Sequence, residues 1–130
     1  MIDPMRAISV TLALGLAVAV PVACAGDDHT HSGVELTKPI TDLTVAEVTT
    51  FCTWAIDVQG GEGHVTTCGD GVMVVTPTQA ECEAEHNGVP AACSTVTVEE
   101  MEACVLSIGT DPCAFGGTAC AEFYECSLTQ

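Results

Sequence analysis

"TVAEVTTFCTWAI", Thr44 to Ile56, is the stretch that decides the fold. Thr44 and Glu47 form the signature of a capping box. In that motif the hydroxyl accepts from the N3 amide while the carboxylate reaches back to the N-cap amide. Val45, Val48, Cys52, Ala55 and Ile56 then recur at helical spacing, with Phe51 and Trp54 beside them. The segment predicts an amphipathic helix that carries a cysteine on its buried stripe.

Working outward, the same construction returns twice, in "TPTQ" at Thr76 to Gln79 and "TVEE" at Thr97 to Glu100. Pro77 suits a first helical position, where its missing N–H is harmless. Each box leads within six to eight residues to a cysteine, namely Cys52, Cys82 and Cys104. A fourth start is read at Thr118, before "ACAEFYEC". Val98, Met101, Cys104, Val105 and Ile108 line one side of the third helix, and Gly109 is placed to stop it. Cys120, Phe123, Tyr124 and Leu128 face together in the fourth. The second, around "AECEAEH", is poorly amphipathic and ends at Gly88. "HVTTCGDGVMVV", residues 64–75, has β-branched runs on both sides of "GDG" and predicts a short hairpin. Two strands alone are marginal, so Cys68 has to pin them. The fold class expected is mainly α: a small disulfide-stapled bundle of about four short helices with one β-hairpin over residues 64–75.

The chain has nine cysteines. Cys24 stands apart, and Cys52, Cys68, Cys82, Cys93, Cys104, Cys113, Cys120 and Cys126 make an even set, which reads as four bridges of an exported domain. The pairing stays open, since eight cysteines allow 105 connectivities. Cys120 and Cys126 are six apart on one predicted helix, which puts them on different faces and predicts different partners. No C-x-x-C occurs, so the pattern lacks the paired thiolates of zinc and thioredoxin-like sites.

The amino-terminal run "AISVTLALGLAVAVPV", residues 7–22, follows Arg6 and carries no charge. Its length suits a signal-peptide core better than a membrane span. Two processing readings compete at "VPVACAGDD". Cys24 is a lipid-attachment position, for which Ala23 fits and Val22 is tolerable while Pro21 departs from the usual leucine, and Ala25 after it favours an outer-membrane address by analogy with enteric lipoproteins. "ACA" at Ala23 to Ala25 is also an ordinary signal-peptidase site. The lipid reading is preferred, because a cysteine at the end of an apolar leader is uncommon by accident. The organisation expected is a signal peptide over 1–23 (to 25 if cut by ordinary signal peptidase), an acidic flexible tether over 24–41 and a cysteine-rich helical domain over 42–130.

Past the leader, Lys38 is the sole lysine or arginine against seventeen acidic residues. Phosphate binding needs Lys and Arg, so nucleic acid is excluded as a partner. No G-x-S-x-G, no isolated nucleophile and no cofactor motif is found, and His64 and His86 read as surface residues. Asp27, Asp28, His29 and His31 are the candidate metal ligands, since acidic, His-rich segments bind copper, nickel or zinc. The plainer reading, a soluble spacer, is preferred.

Cys24 after its leader, "FC" at Phe51-Cys52, "AECE" at Ala80 to Glu83, "MEACV" at Met101 to Val105, "DPC" at Asp111 to Cys113 and "AC" at Ala119-Cys120 form one layout. It resembles the cysteine-rich exported proteins, many of them read as lipoproteins, of myxobacteria and related predatory Gram-negative bacteria. The resemblance implies an envelope or extracellular location and a small disulfide-bonded domain. It brings no activity and no catalytic residue. The expected function is an exported, lipid-anchored envelope protein with a binding or structural domain, at the outer membrane or cell surface if lipidated and otherwise periplasmic or extracellular. The alternative is a secreted carrier of a divalent metal or a small apolar ligand.

Overall fold

The structure, a computed structural model, describes residues 30–129. There are four α-helices, α1 (Val45–Val58), α2 (Gln79–Asn87), α3 (Val98–Thr110) and α4 (Ala121–Ser127), with short 3-10 turns between α2 and α3 and between α3 and α4. One antiparallel hairpin, β1 (Val65–Thr67) and β2 (Met73–Val75), lies between α1 and α2 with Val65 opposite Val75 and Thr67 opposite Met73. The mainly helical class with one hairpin is therefore what the chain adopts.

Three helices begin with complete capping boxes, at Thr44/Glu47, Thr78/Glu81 and Thr97/Glu100. The second is shifted by two residues from the expected "TPTQ". Thr76 is instead buried at the hairpin base, its hydroxyl donating to the Gln59 carbonyl at 3.0 Å. Thr78 and Glu81 then offer a box with a carboxylate, a stronger acceptor than the Gln79 amide. Pro77 consequently precedes the cap rather than opening the helix. At the fourth start the expected Thr118 cap is replaced: a 3-10 turn over Gly117–Cys120 runs straight into α4, and Cys120 takes the cap position.

Gly109 does not stop α3, which runs on to Thr110. A Cβ there would lie 2.7 Å from the Val58 Cγ1 and 2.8 Å from the Val58 carbonyl oxygen. Gly109 is thus the position at which the ends of α1 and α3 touch. Val45 and Leu128, expected on buried stripes, are 84% and 83% exposed. Each sits at a helix end with no neighbouring element over it. Tyr124 is likewise exposed at 42%, its hydroxyl donating to the Phe115 carbonyl.

The core is two small clusters. Val34, Phe51, Trp54, Ala55, Val98 and Val105 form one. Ile40, Cys93 and Val96 form the other, with Val89, Met101 and Phe123 packed against it. Four disulfides join the pieces: Cys52–Cys82 ties α1 to α2, and Cys68–Cys113 ties the hairpin to the 3-10 turn Pro112–Ala114. Cys93–Cys126 ties the 3-10 turn Ala91–Thr95 to α4, and Cys104–Cys120 ties α3 to the turn before α4. Cys120 and Cys126 do take different partners, and Cys68 does pin the hairpin. Both clusters and all four bridges are built within residues 30–129.

The flexible tether expected over 24–41 needs correction where the structure describes it. Val34 and Ile40 are 8% and 3% exposed, each in one of the two clusters. The segment also runs along the start of α3. Lys38 and Leu36 carbonyls accept from the Val98 and Glu99 amides, both at 2.9 Å, and the Val96 carbonyl accepts from the Ile40 amide at 2.9 Å. The first amides of a helix have no partner within it. This segment supplies the acceptors, so it is part of the domain.

Candidate functional site

The most heavily built polar feature lies where this segment meets α3. Glu102 is 2% exposed, and it is the buried carboxylate among the described residues. Its Oε1 accepts from the Ser32 amide at 2.8 Å and the Ser32 hydroxyl at 2.5 Å; its Oε2 is 2.9 Å from His31 Nδ1. Two neighbouring residues thus satisfy both oxygens, as a buried carboxylate requires. His31 itself keeps a 61% exposed side chain. The arrangement is a clasp: it fastens the incoming chain on α3. Sequence reading missed Glu102. A signal was present, because Glu102 falls between Val98 and Val105 at helical spacing on the apolar face.

Of the candidate metal ligands, His31 is engaged with Glu102, and Asp27, Asp28 and His29 lie outside the described residues. Cys24 lies outside them too. Among the described residues no group of three His, Cys, Asp or Glu side chains is placed to hold a metal ion, and no helix is long and apolar enough to cross a membrane. His64 is exposed at the hairpin base. His86 is half-buried, with its Nε2 donating to the Ile40 carbonyl at 2.8 Å.

Both residues of that bond line an apolar cavity of about 150 Å³ between the helices, with Leu43, Phe51, Val89, Met101 and Phe123 among the others. A wider groove of about 610 Å³ has a hydroxyl-rich wall, with Thr49, Thr50 and Thr53 of α1 on one side. Ser32, Gly61 and Glu62 also line it.

Electrostatics are governed by carboxylates in caps. Lys38 Nζ reaches both Glu47 oxygens, at 2.9 and 2.7 Å. That ammonium, followed by the Thr44 amide and hydroxyl, lowers the Glu47 carboxyl from the usual 4.5 to about 2. Thr78 holds Glu81 below its ordinary value in the same way, and Gln79 with Thr49 does so for Glu83. Glu100, bonded by Thr97, is lowered, while Glu122 beside it is raised by the Glu100 charge and hydrogen bond. Glu47 and Glu81 fasten helix ends and Glu83 the seam between α1 and α2, while Glu100, the cap carboxylate of α3, lines one pocket with Glu122 and Thr118.

No protein-family model, no curated protein and no solved structure matches the chain. What it does must therefore be argued from its own residues.

Proposed function

We propose that this is an exported envelope protein, anchored by lipid on Cys24, whose disulfide-stapled helical domain serves as a binding or structural module without catalysis. The observation that carries the reading is the set of four disulfides, with all eight cysteines of the domain consumed. Such bridges persist in oxidising compartments, and the leader ahead of Cys24 is a route to one. Cys24 is the odd cysteine, left for another chemistry. Intact mass spectrometry of the natural protein tests the reading. The expected result is an acyl-bearing chain beginning at Cys24 with eight hydrogens missing for four bridges. A chain beginning at Gly26 with no acyl mass would remove the anchor.

A second reading, carriage of a small apolar ligand, is favoured by the cavity beside His86. At about 150 Å³ it matches the size of an apolar cavity that takes up a single ring. It is too small for an acyl chain. Xenon or benzene should shift the methyl signals of Met101 and Val89; unchanged spectra would eliminate it.

A further inference from the structure

The hairpin presents an unusual face. Paired residues of an antiparallel ribbon share a side, and alternate pairs share it again. Val65, Thr67, Met73 and Val75 therefore lie together, and all four are exposed, with Met73 at 66%, Val75 at 55% and Val65 at 49%. Val72, at 44%, borders them in the turn. The Thr76 amide bonds His64 and the Cys68 amide bonds Val72, so the ladder bonds fall on the alternate pairs. The backbone groups of Val65, Thr67, Met73 and Val75 then point outward from the ladder. Neither strand carries a charged side chain, and Asp70 at the turn is the one acid between His64 and Thr76. On a chain this acidic, that is a neutral, apolar island.

The place where the described chain joins the domain says what covers it. The described chain is clasped on α3 from His31 and Ser32 onward. Ser32 shares a groove with Gly61 and Glu62, in the turn that feeds β1. The chain therefore enters the domain on the side from which the hairpin springs. From Cys24 to His31 is seven residues, which at full stretch reach only about 25 Å. Were residues 31–41 a loose tether, the domain would be free to turn; clasped, it is held close to the anchoring surface by that side.

We propose that the exposed hairpin face, Val65, Met73 and Val75 with Val72, is a second membrane contact that rests on the lipid surface when the protein is anchored. This deepens the lipid-anchor reading and depends on it. The lipid in question is electrically neutral at its surface, because the acidic chain is repelled by anionic headgroups. A second copy of the chain is disfavoured by the same charge, which each copy would bring to the contact.

The test couples the chain from Cys24 onward, through that thiol, to a maleimide-bearing lipid in phosphatidylcholine vesicles. Amide hydrogen exchange of the hairpin is compared between the tethered and free protein. The expected result is exchange slowed several-fold at Val65, Met73 and Val75 on vesicles. The double variant Met73→Thr/Val75→Thr, which keeps strand propensity and all four bridges, should return it to the free rate. Equal exchange in both states overturns the proposal. So does protection that appears in free protein and grows with its concentration, which would assign the face to a second copy. Because the synthetic anchor does not depend on natural processing, an unprotected hairpin sinks this contact alone. A missing acyl mass on Cys24 removes the anchor, and with it the natural setting of this contact, whatever the hairpin does on the synthetic anchor.

Discussion

Glu102 shows how one side chain turns a polar leader into part of a fold. Its carboxylate is taken out of water, and the Ser32 amide, the Ser32 hydroxyl and His31 replace the lost hydration. A hydrogen bond to a charged group is worth about 1.5–3 kcal/mol. Glu102→Leu should therefore lower unfolding stability by about 2–3 kcal/mol, while Glu102→Gln, which keeps an acceptor, should cost less. Denaturant melts give the magnitude. Limited proteolysis gives the location, with new cleavage expected between Thr30 and Leu36 in the Leu variant. If the Leu variant were as stable and as resistant as the wild type, Val34 and the Lys38 and Leu36 carbonyls would be enough to hold the segment. The clasp was hidden in the sequence because "GDDHTHSG" is polar and aperiodic. Its docking depends on two isolated apolar residues, Val34 and Ile40, and on backbone acceptors that carry no side-chain signature.

At the scale of the element, α2 is the revealing case. It has no fully buried residue, so apolar burial contributes little to its attachment. What holds it is Cys52–Cys82 and a polar seam: Thr49 donates to Glu83 at 2.9 Å, and Gln79 Nε2 donates to the Thr49 carbonyl at 3.1 Å. The bridge spans 30 residues, and closing a loop of that size is worth about 3–4 kcal/mol. The double variant Cys52→Ala/Cys82→Ala should lose stability of that order. Amides of residues 79–87 should exchange first, ahead of those in α1 and α3. Uniform loosening of the whole domain would show that the bridge acts globally. Capping supplies a second test. The folded carboxyl of Glu47 lies near 2 against an ordinary 4.5. Its stabilisation is then fully present above the unfolded value and is lost as pH falls through the folded one. Glu47→Gln should melt below the wild type at neutral pH, and the gap should close between pH 4.5 and about 2. A gap independent of pH would mean that the Lys38 pairing is immaterial. The boxes of α1 and α3 were legible because one Thr-x-x-Glu pattern stood at each. At α2 two overlapping patterns competed, and the hairpin's need for Thr76 decided between them, which is a tertiary effect. The end of α3 escaped for the same reason, since Gly109 serves the contact with Val58 rather than a stop.

Across the whole molecule, covalent links take over where apolar mass runs out. The core clusters hold few large side chains, chiefly Phe51 and Trp54. The bridges close loops of 16 to 45 residues, each worth about 3–4 kcal/mol if taken singly. Their loops overlap, so the sum is smaller than four such contributions. Their number was readable from the eight cysteines left once Cys24 is set aside; their pairing was not, because it is set by which elements meet. Charge was readable outright, and it sets the last expectation. With a formal net charge of −16 for the full chain, the folded state crowds like charges that the unfolded chain holds farther apart. Lys38–Glu47 is the lysine–carboxylate bridge among the described residues, and both side chains are partly exposed. Salt weakens that attraction slightly and the many repulsions together, since the screening length falls from about 10 Å at 0.1 M to about 3 Å at 1 M. The melting temperature should therefore rise steadily with sodium chloride at pH 7. Near pH 4 the rise should shrink, as carboxylates begin to take up protons and the repulsion fades. Chloride is the salt to use, because sulfate strengthens burial in any protein. A melting temperature that falls with chloride at neutral pH would mean that local pairs such as Lys38–Glu47, and not the overall negative charge, set the electrostatic balance of the fold.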